Sequence, residues 1–363
     1  MTVAVPPVAQ LVLLSAVGVL ARRLFPSRAA VPAAAGAAVM ALGIFGLAAL
    51  QEMPLLRPIA TQPLAMALLV AWAVLAVAHG AALRSGIFWR DTGRPIGAFA
   101  IGCWVAATAV LLEMIVLAVP EWRPLALVLG LLAAAIWLWF LKILAEDARA
   151  VVGSASRGLV PGVVLLSTVS TQSLALAALA LFPEGALRPL AGVLIALGGL
   201  MYLAGVVVIV RSHVRAQGWT LADDWDNTNC ILHGAMSITG LAVVSGSVGP
   251  PIVSVVLWLY VLAVFVAVEA IEIVRLVARV RAYGWRRGAF AYRVSQWSRN
   301  FTFGMFYAFT LALAQRIEFP EGWSWVGSLQ HPVLAFGPYV VLGLLLIEGA
   351  LFIGSCADRR SAR

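Results

Sequence analysis

Leu127–Leu141 reads LVLGLLAAAIWLWFL, and a little further on Ser167–Ser173 reads STVSTQS. The first stretch carries no charge. With its flanks, 124–144, it has the ~20 apolar residues that a helix needs to cross a bilayer. The second lies inside an equally apolar run, 159–182, yet it holds hydroxyls and an amide. Groups of that kind are costly against lipid and survive where they face another helix or a wet cavity. Together the two stretches place the chain among all-α polytopic membrane proteins and divide its helices into two kinds.

Similar runs recur along the whole chain. The apolar pattern predicts ten core spans near 31–50, 60–83, 96–119, 124–144, 159–182, 189–210, 229–246, 251–274, 300–315 and 332–355, preceded by a short leader span at Val8–Ala21. The expected organisation is a leader transmembrane segment over 1–30, a ten-helix domain over 31–355 and a cytoplasmic tail over 356–363. Composition agrees: 63% of residues are hydrophobic and 11% charged, where a soluble domain carries about 25% charged. No polar block is long enough for a soluble domain.

Charge supports the count independently. When successive loops are assigned to alternate sides, all but Arg57, Arg123, Arg188 and Arg316 of the 25 lysines and arginines fall on one side. The positive-inside rule makes that side cytoplasmic. The C-terminus is then inside, the leader puts the N-terminus outside, and the expected location is an inner, plasma-type membrane. The net charge of +9 is spread over short loops, and its densest group, Arg281, Arg286, Arg287 and Arg293, reads as one such loop. No nucleic-acid partner is expected. Cys103, Cys230 and Cys356 are scattered, which predicts neither a disulfide nor a metal site, and no cofactor is expected. Arg22 and Arg23 follow the first apolar run instead of preceding it, unlike a signal peptide.

Odd-numbered core spans share the small and polar character of STVSTQS. The first reads GAAVMALGIFG from Gly36, the third IGCWVAATA from Ile101, the seventh HGAMSITG from His233 and the ninth NFTFGMFYAFT from Asn300. Even-numbered spans are mostly Leu, Val, Ala and Trp. The alternation suggests a two-helix unit repeated five times, with five polar helices inside, five aliphatic ones facing lipid, and a central pore. For any single glycine or hydroxyl, close helix packing is the simpler reading. The candidates for lining the pore are Gly43, Gly102, Thr171, Gln172, Ser173, Gly234, Ser237, Asn300, Thr302 and Gly304.

Four of these stretches resemble the tellurite-resistance/dicarboxylate-transporter family, which includes the slow-type anion channels of plant guard cells. AAVMALGI at Ala37–Ile44 is similar to the family's F-x-x-V-M-A-T-G-I, and STQSLALAALAL at Ser170–Leu181 to V-A-T-Q-S-L-A-V-L-G. LHGAMSITGLA at Leu232–Ala242 looks like N-M-G-A-M-A-I-S-T-L-A, and WSRNFTFGMFYAFT at Trp297–Thr310 like Y-W-G-M-V-F-P-L-G-M-Y-T. They fall in order in the first, fifth, seventh and ninth core spans. The resemblance implies ten helices in five quasi-repeated pairs around a pore in each protomer, often in a homotrimer. It also implies transport of small anions such as C4-dicarboxylates, sulfite, nitrate or chloride. A phenylalanine on the ninth helix plugs the pore in that family, and aligning G-M-F with G-M-Y assigns that role to Phe301. Thr302 stands where the family has proline, Leu42 where it has threonine and His233 where it has methionine.

The residues add their own case. A ring at Phe301, between Asn300 and Thr302 and near Gly304, can block a narrow pore by sterics and dewetting; most aromatics in spans simply pack. No basic residue lies at mid-membrane depth in the odd spans, so anion preference must come from hydroxyls, amides, helix ends and a basic inner mouth. Glu113, in the outer part of the third span, is the candidate for proton coupling in the alternative reading, a secondary transporter of dicarboxylate or sulfite. Glu272 with Arg275 reads as a structural pair, and Glu269 and Glu348 can reach cytoplasmic arginines. His233 reads as a satisfied helix-end histidine, and ADDWDN at Ala222–Asn227 as a helix cap. No His/Asp/Glu cluster or Ser–His pairing falls at one depth, so no enzyme is expected.

Overall fold

The computed structural model describes residues 6–24, 31–154, 158–319 and 322–361. Among the described residues every regular element is helical. The helices are α1 (Pro7–Leu24), α2 (Gly36–Leu47), α3 (Arg57–Arg84), α4 (Ile87–Thr92), α5 (Gly102–Ala118), α6 (Arg123–Ser154) and α7 (Leu166–Leu181). They continue as α8 (Arg188–Arg215), α9 (Ile231–Gly246), α10 (Pro251–Gly288), α11 (Gln296–Arg316) and α12 (Trp325–Ser361). Nine helical stretches among the described residues are long and apolar enough to cross a membrane. These lengths make the chain a multi-pass membrane protein. The short helix α4 was not expected. The tail predicted over 356–363 continues α12 as far as Ser361, and the last two residues lie outside the described set. The expected leader span falls on α1, which packs against α3; residues 1–5 and 25–30 lie outside the described set.

The tenth expected span, α11, is helical over 21 residues, but Gln296, Arg299, Asn300, Gln315 and Arg316 make it more polar than the nine. A helix can carry such groups only when other helices hide them from lipid. Asn300, Phe301, Thr302 and Thr310 are all buried.

Burial separates two populations. The stretches containing α2, α5, α7 and α9 are 67–83% buried, and those containing α3, α6, α8, α10 and α12 only 17–28%. The buried helices pack side by side in chain order, α2 on α5, α5 on α7, α7 on α9 and α9 on α11, and α11 returns to α2. Within the ring each inner helix packs chiefly on its two neighbours. Each lipid-facing helix covers a seam: α3 lies on α2 and α5, α6 on α5 and α7, α8 on α7 and α9, α10 on α9 and α11, α12 on α11 and α2.

Glycines let the ring close. A Cβ at Gly36 would press on the Cys103 backbone of α5, one at Gly102 on the Leu166 backbone of α7, and one at Gly234 on Thr302 of α11. A Cβ at Gly304 would meet Ile44 of α2, completing the circle. Outer helices are tied to inner ones by a recurring bond from an indole to a threonine hydroxyl. Trp72 donates to Thr108 at 3.0 Å, Trp137 to Thr171 at 2.9 Å and Trp258 to Thr310 at 2.9 Å. Each of these threonines in turn donates to the carbonyl four residues back. The helices α3, α6 and α8 all open on Arg-Pro, at Arg57, Arg123 and Arg188. Proline suits a helix's first turn because its missing N–H has no partner there anyway.

Short turns precede four of the inner helices: Ala33–Ala35, Ile96–Ile101, Gly162–Leu165 and Asn227–Cys230. These turns pack against one another in that order, and the last packs against α11. All five inner helices therefore start at one end of the molecule and run in the same direction.

Candidate functional site

The interior of the ring is the candidate site. Helix periodicity, about 100° per residue, sorts the faces of α11. Thr302 and Phe309 fit against glycines of α9, Gly304 receives Ile44 of α2, Phe306 and Thr310 meet Phe265 and Trp258 of α10, and Tyr307 fills the space beside Gly337 of α12. The arc left over carries Phe301, Met305 and Ala308, which look into the ring. Phe301 is 2% exposed and Met305 1%. Aromatic and thioether side chains thus fill the interior at the first turns of α11.

Sorting α7 in the same way divides the expected candidates. Thr171 faces α6, where it accepts the Trp137 indole, and Gln172 faces α8, donating to the Ile195 carbonyl at 3.1 Å. Ser173 lies on the remaining arc, with its hydroxyl bonded to the Val169 carbonyl at 2.8 Å. Ser167, Ser170 and Thr171 also donate to carbonyls of their own stretch. These hydroxyls were expected to offer protons to an anion; here those protons are held by backbone oxygens. Gly43, Gly102, Gly234 and Gly304 sit at helix seams, where a Cβ would strike Val110, Leu166, Thr302 and Ile44. Ser237 turns back onto the His233 carbonyl at 2.8 Å, and Thr302 onto the Arg299 carbonyl at 2.9 Å. Asn300 is buried on the side of α11 away from Phe301's arc. Close packing, the simpler reading, fits most of these residues.

Glu113 lies between the α2-facing and α7-facing sides of α5. Val110 and Met114 mark the first side and Gly102 the second, while Thr108 points outward to α3. It is part-exposed between buried neighbours, Leu112 and Met114, and makes no hydrogen bond or ion pair among the described residues. It therefore borders the interior on the half away from the helix starts.

At the helix starts the polar groups are joined. Glu272 accepts the Trp225 indole at 2.8 Å and pairs with Arg275 at 3.2 Å. Arg275 also donates to Asn227 at 2.6 Å, and Asn227 donates to Ser295, the residue that opens α11, at 3.0 Å. Arg299 pairs with Glu269 and reaches Glu272 at 3.4 Å. The Glu272–Arg275 pair expected from spacing is present, and Glu269 does reach an arginine. Glu348 does not, and its Oε1 is buried without a partner. Asp226 caps the turn before α9, accepting from the Thr228 backbone N–H at 2.8 Å, as ADDWDN suggested. His233 departs from expectation. It is fully buried against Phe265, with no hydrogen bond on either ring nitrogen. Its position near a helix start hid this, because α10 and α11 cover that start.

No group of three metal-ligating side chains occurs among the described residues. No family model and no curated relative matches the chain.

Proposed function

We propose that the chain is an anion permease of channel type, resembling the tellurite-resistance/dicarboxylate-transporter family. Its ten core helices form five quasi-repeated pairs around one pore per protomer, with α1 as an additional span and α11 as the tenth core span. The observation that carries the reading is the closed ring of five parallel inner helices, covered seam by seam by five lipid-facing ones. Parallel helices direct five positive dipole ends, each worth about half a charge, at one mouth. None of the five has an acidic residue in its first turn. Most of the chain's arginines fall at the same end, which the positive-inside rule assigns to the cytoplasm of a plasma-type membrane. An anion is favoured there by field alone. Phe301 closes the path above that mouth, and its ring must swing for conduction. Substrates of the class are chloride, nitrate, sulfite or C4-dicarboxylates, and a homotrimer of such pores accompanies the resemblance. Anion-replacement flux in proteoliposomes tests the proposal. Chloride, nitrate, sulfite or malate should move faster than in protein-free vesicles, and no excess for any of them rejects it.

A second reading rests on one observation, the unpartnered carboxyl of Glu113 at the edge of the interior. A carboxyl there can take up and release protons, which makes a coupled secondary transporter. Flux that saturates, collapses with the proton gradient and is lost in Glu113→Gln selects this reading.

A further inference from the structure

The ion cluster at the start of α11 lies outside the pore reading, yet it touches the helix that carries Phe301. Its members come from three places: Trp225 and Asn227 before α9, Glu269, Glu272 and Arg275 on α10, and Arg299 on α11. The cluster holds α11 at two points. Asn227 binds the Ser295 hydroxyl at 3.0 Å, and one turn later the Arg299 guanidinium sits between the carboxylates of Glu269 and Glu272. Phe301 follows two residues after Arg299, about 3 Å further along the axis.

Arg299 faces α10 and Phe301 faces the ring, on nearly opposite sides of one helical turn. The guanidinium also lies 5.9 Å from the Phe303 ring. On the α9 side, Thr302 rests on Gly234, where even a Cβ would collide. The first turns of α11 are thus clamped between a glycine notch and a four-member ionic group that is formally neutral. Side chains so placed fix both the rotation and the depth of Phe301. The clamp is incomplete, since Glu269 Oε1 and Arg275 Nε are buried without partners. The group has unfilled hydrogen-bonding capacity, and changing one member need not collapse the rest.

We infer that Arg299, held by Glu269 and Glu272, is the positioning residue that keeps the Phe301 ring across the pore. The inference rests on the gate reading above. It makes α10, a lipid-facing helix, the element that sets the closed state. Any displacement of α10 that parts Arg299 from the carboxylates frees α11 to rotate and carries the ring off the axis.

The test is a cycle of variants in proteoliposomes loaded with chloride. Arg299→Gln should raise chloride flux tenfold or more in the Phe301 background and change it less than twofold in Phe301→Ala, where no ring remains to be positioned. The exchange of Glu269→Arg with Arg299→Glu should bring flux back toward the unmodified protein. A second readout is independent of flux. Met305→Cys, one turn beyond Phe301 on the same arc, should react with a water-soluble thiol reagent in Arg299→Gln and resist it otherwise. If Arg299→Gln does not yield folded protein, Glu269→Gln keeps shape and hydrogen bonding and carries the same comparisons. Equal flux increases with and without Phe301, or unchanged Met305→Cys labelling in a folded variant, overturn the inference. Failure of the gate reading looks different: Phe301→Ala itself leaves flux unchanged, while the labelling still decides whether Arg299 positions α11.

Discussion

Phe301 and Gly162 show how differently two buried residues of similar setting should respond to change. Phe301 is nearly inaccessible, as a core aromatic would be, but it lies on an arc of α11 turned away from the faces that meet α2, α9, α10 and α12. If its ring is a plug, Phe301→Ala removes a barrier, and each 1.4 kcal/mol removed is worth about tenfold in rate. Anion flux should therefore rise tenfold or more with little loss of folded protein. A packing aromatic would instead cost about 3–5 kcal/mol by soluble-protein precedent and lower yield and flux together. The two roles predict opposite signs, and a flux assay on purified protein separates them. Gly162 precedes α7, where a Cβ would drive into the Thr228 carbonyl and the Asn229 backbone. Backbone cannot swing aside as a side chain can. Gly162→Ala should lower stability by about 1–3 kcal/mol, read as a fall in melting temperature in detergent. An unchanged melting temperature would mean that the start of α7 is looser than its contacts indicate.

At the scale of elements, the division into inner and outer helices was legible in the sequence. Lipid imposes aliphatic surfaces on α6 or α8, and only covered helices such as α7 can keep six polar side chains in a row of seven. The face each polar residue takes was not legible. Thr171, Gln172 and Ser173 are consecutive and all polar, yet the first meets α6, the second α8, and the third lies on the arc away from both. Only the partner helices decide that. The Arg-Pro openings of α3, α6 and α8 were in plain view; they carry no signal in hydropathy, which is why apolar periodicity passes over them. The burial of His233 was beyond reach for a related reason, because the ring that covers it comes from α10, some thirty residues on. The assignment of faces has a direct test. In the Phe301→Ala background, a cysteine at Ser173 should react with a water-soluble thiol reagent, while cysteines at Thr171 and at Leu131, which faces lipid, should not. Equal labelling of Ser173 and Thr171 would remove the argument that a water-filled path runs along that face of α7.

If the chain is the proposed permease, the whole molecule sets the sign of charge it admits. Its five inner helices start together and none has an acid in its first turn, so their dipoles add at one mouth. Reporter fusions should place the C-terminus in the cytoplasm, beside that mouth; a periplasmic C-terminus would reverse the direction of the field across the membrane. On α7 the hydroxyls of Ser167, Ser170, Thr171 and Ser173 donate to backbone carbonyls, and among the described residues the helix itself carries no basic side chain. On the permease reading, selection then rests on long-range field at the mouth and little on contacts with α7. Two consequences follow. Chloride and nitrate should permeate at rates within about tenfold of each other, since no site binds either tightly, while potassium should lag chloride by more than that. The preference for anions should also weaken with salt. The Debye length falls from about 10 Å at 0.1 M to about 3 Å at 1 M, which screens dipole ends and loop arginines alike. Reversal potentials in planar bilayers, measured at both ionic strengths with Phe301→Ala to keep the path open, read this directly. A chloride-to-potassium ratio that stays constant across that range would point to a buried binding group inside the ring and would shift attention to the residues around Glu113.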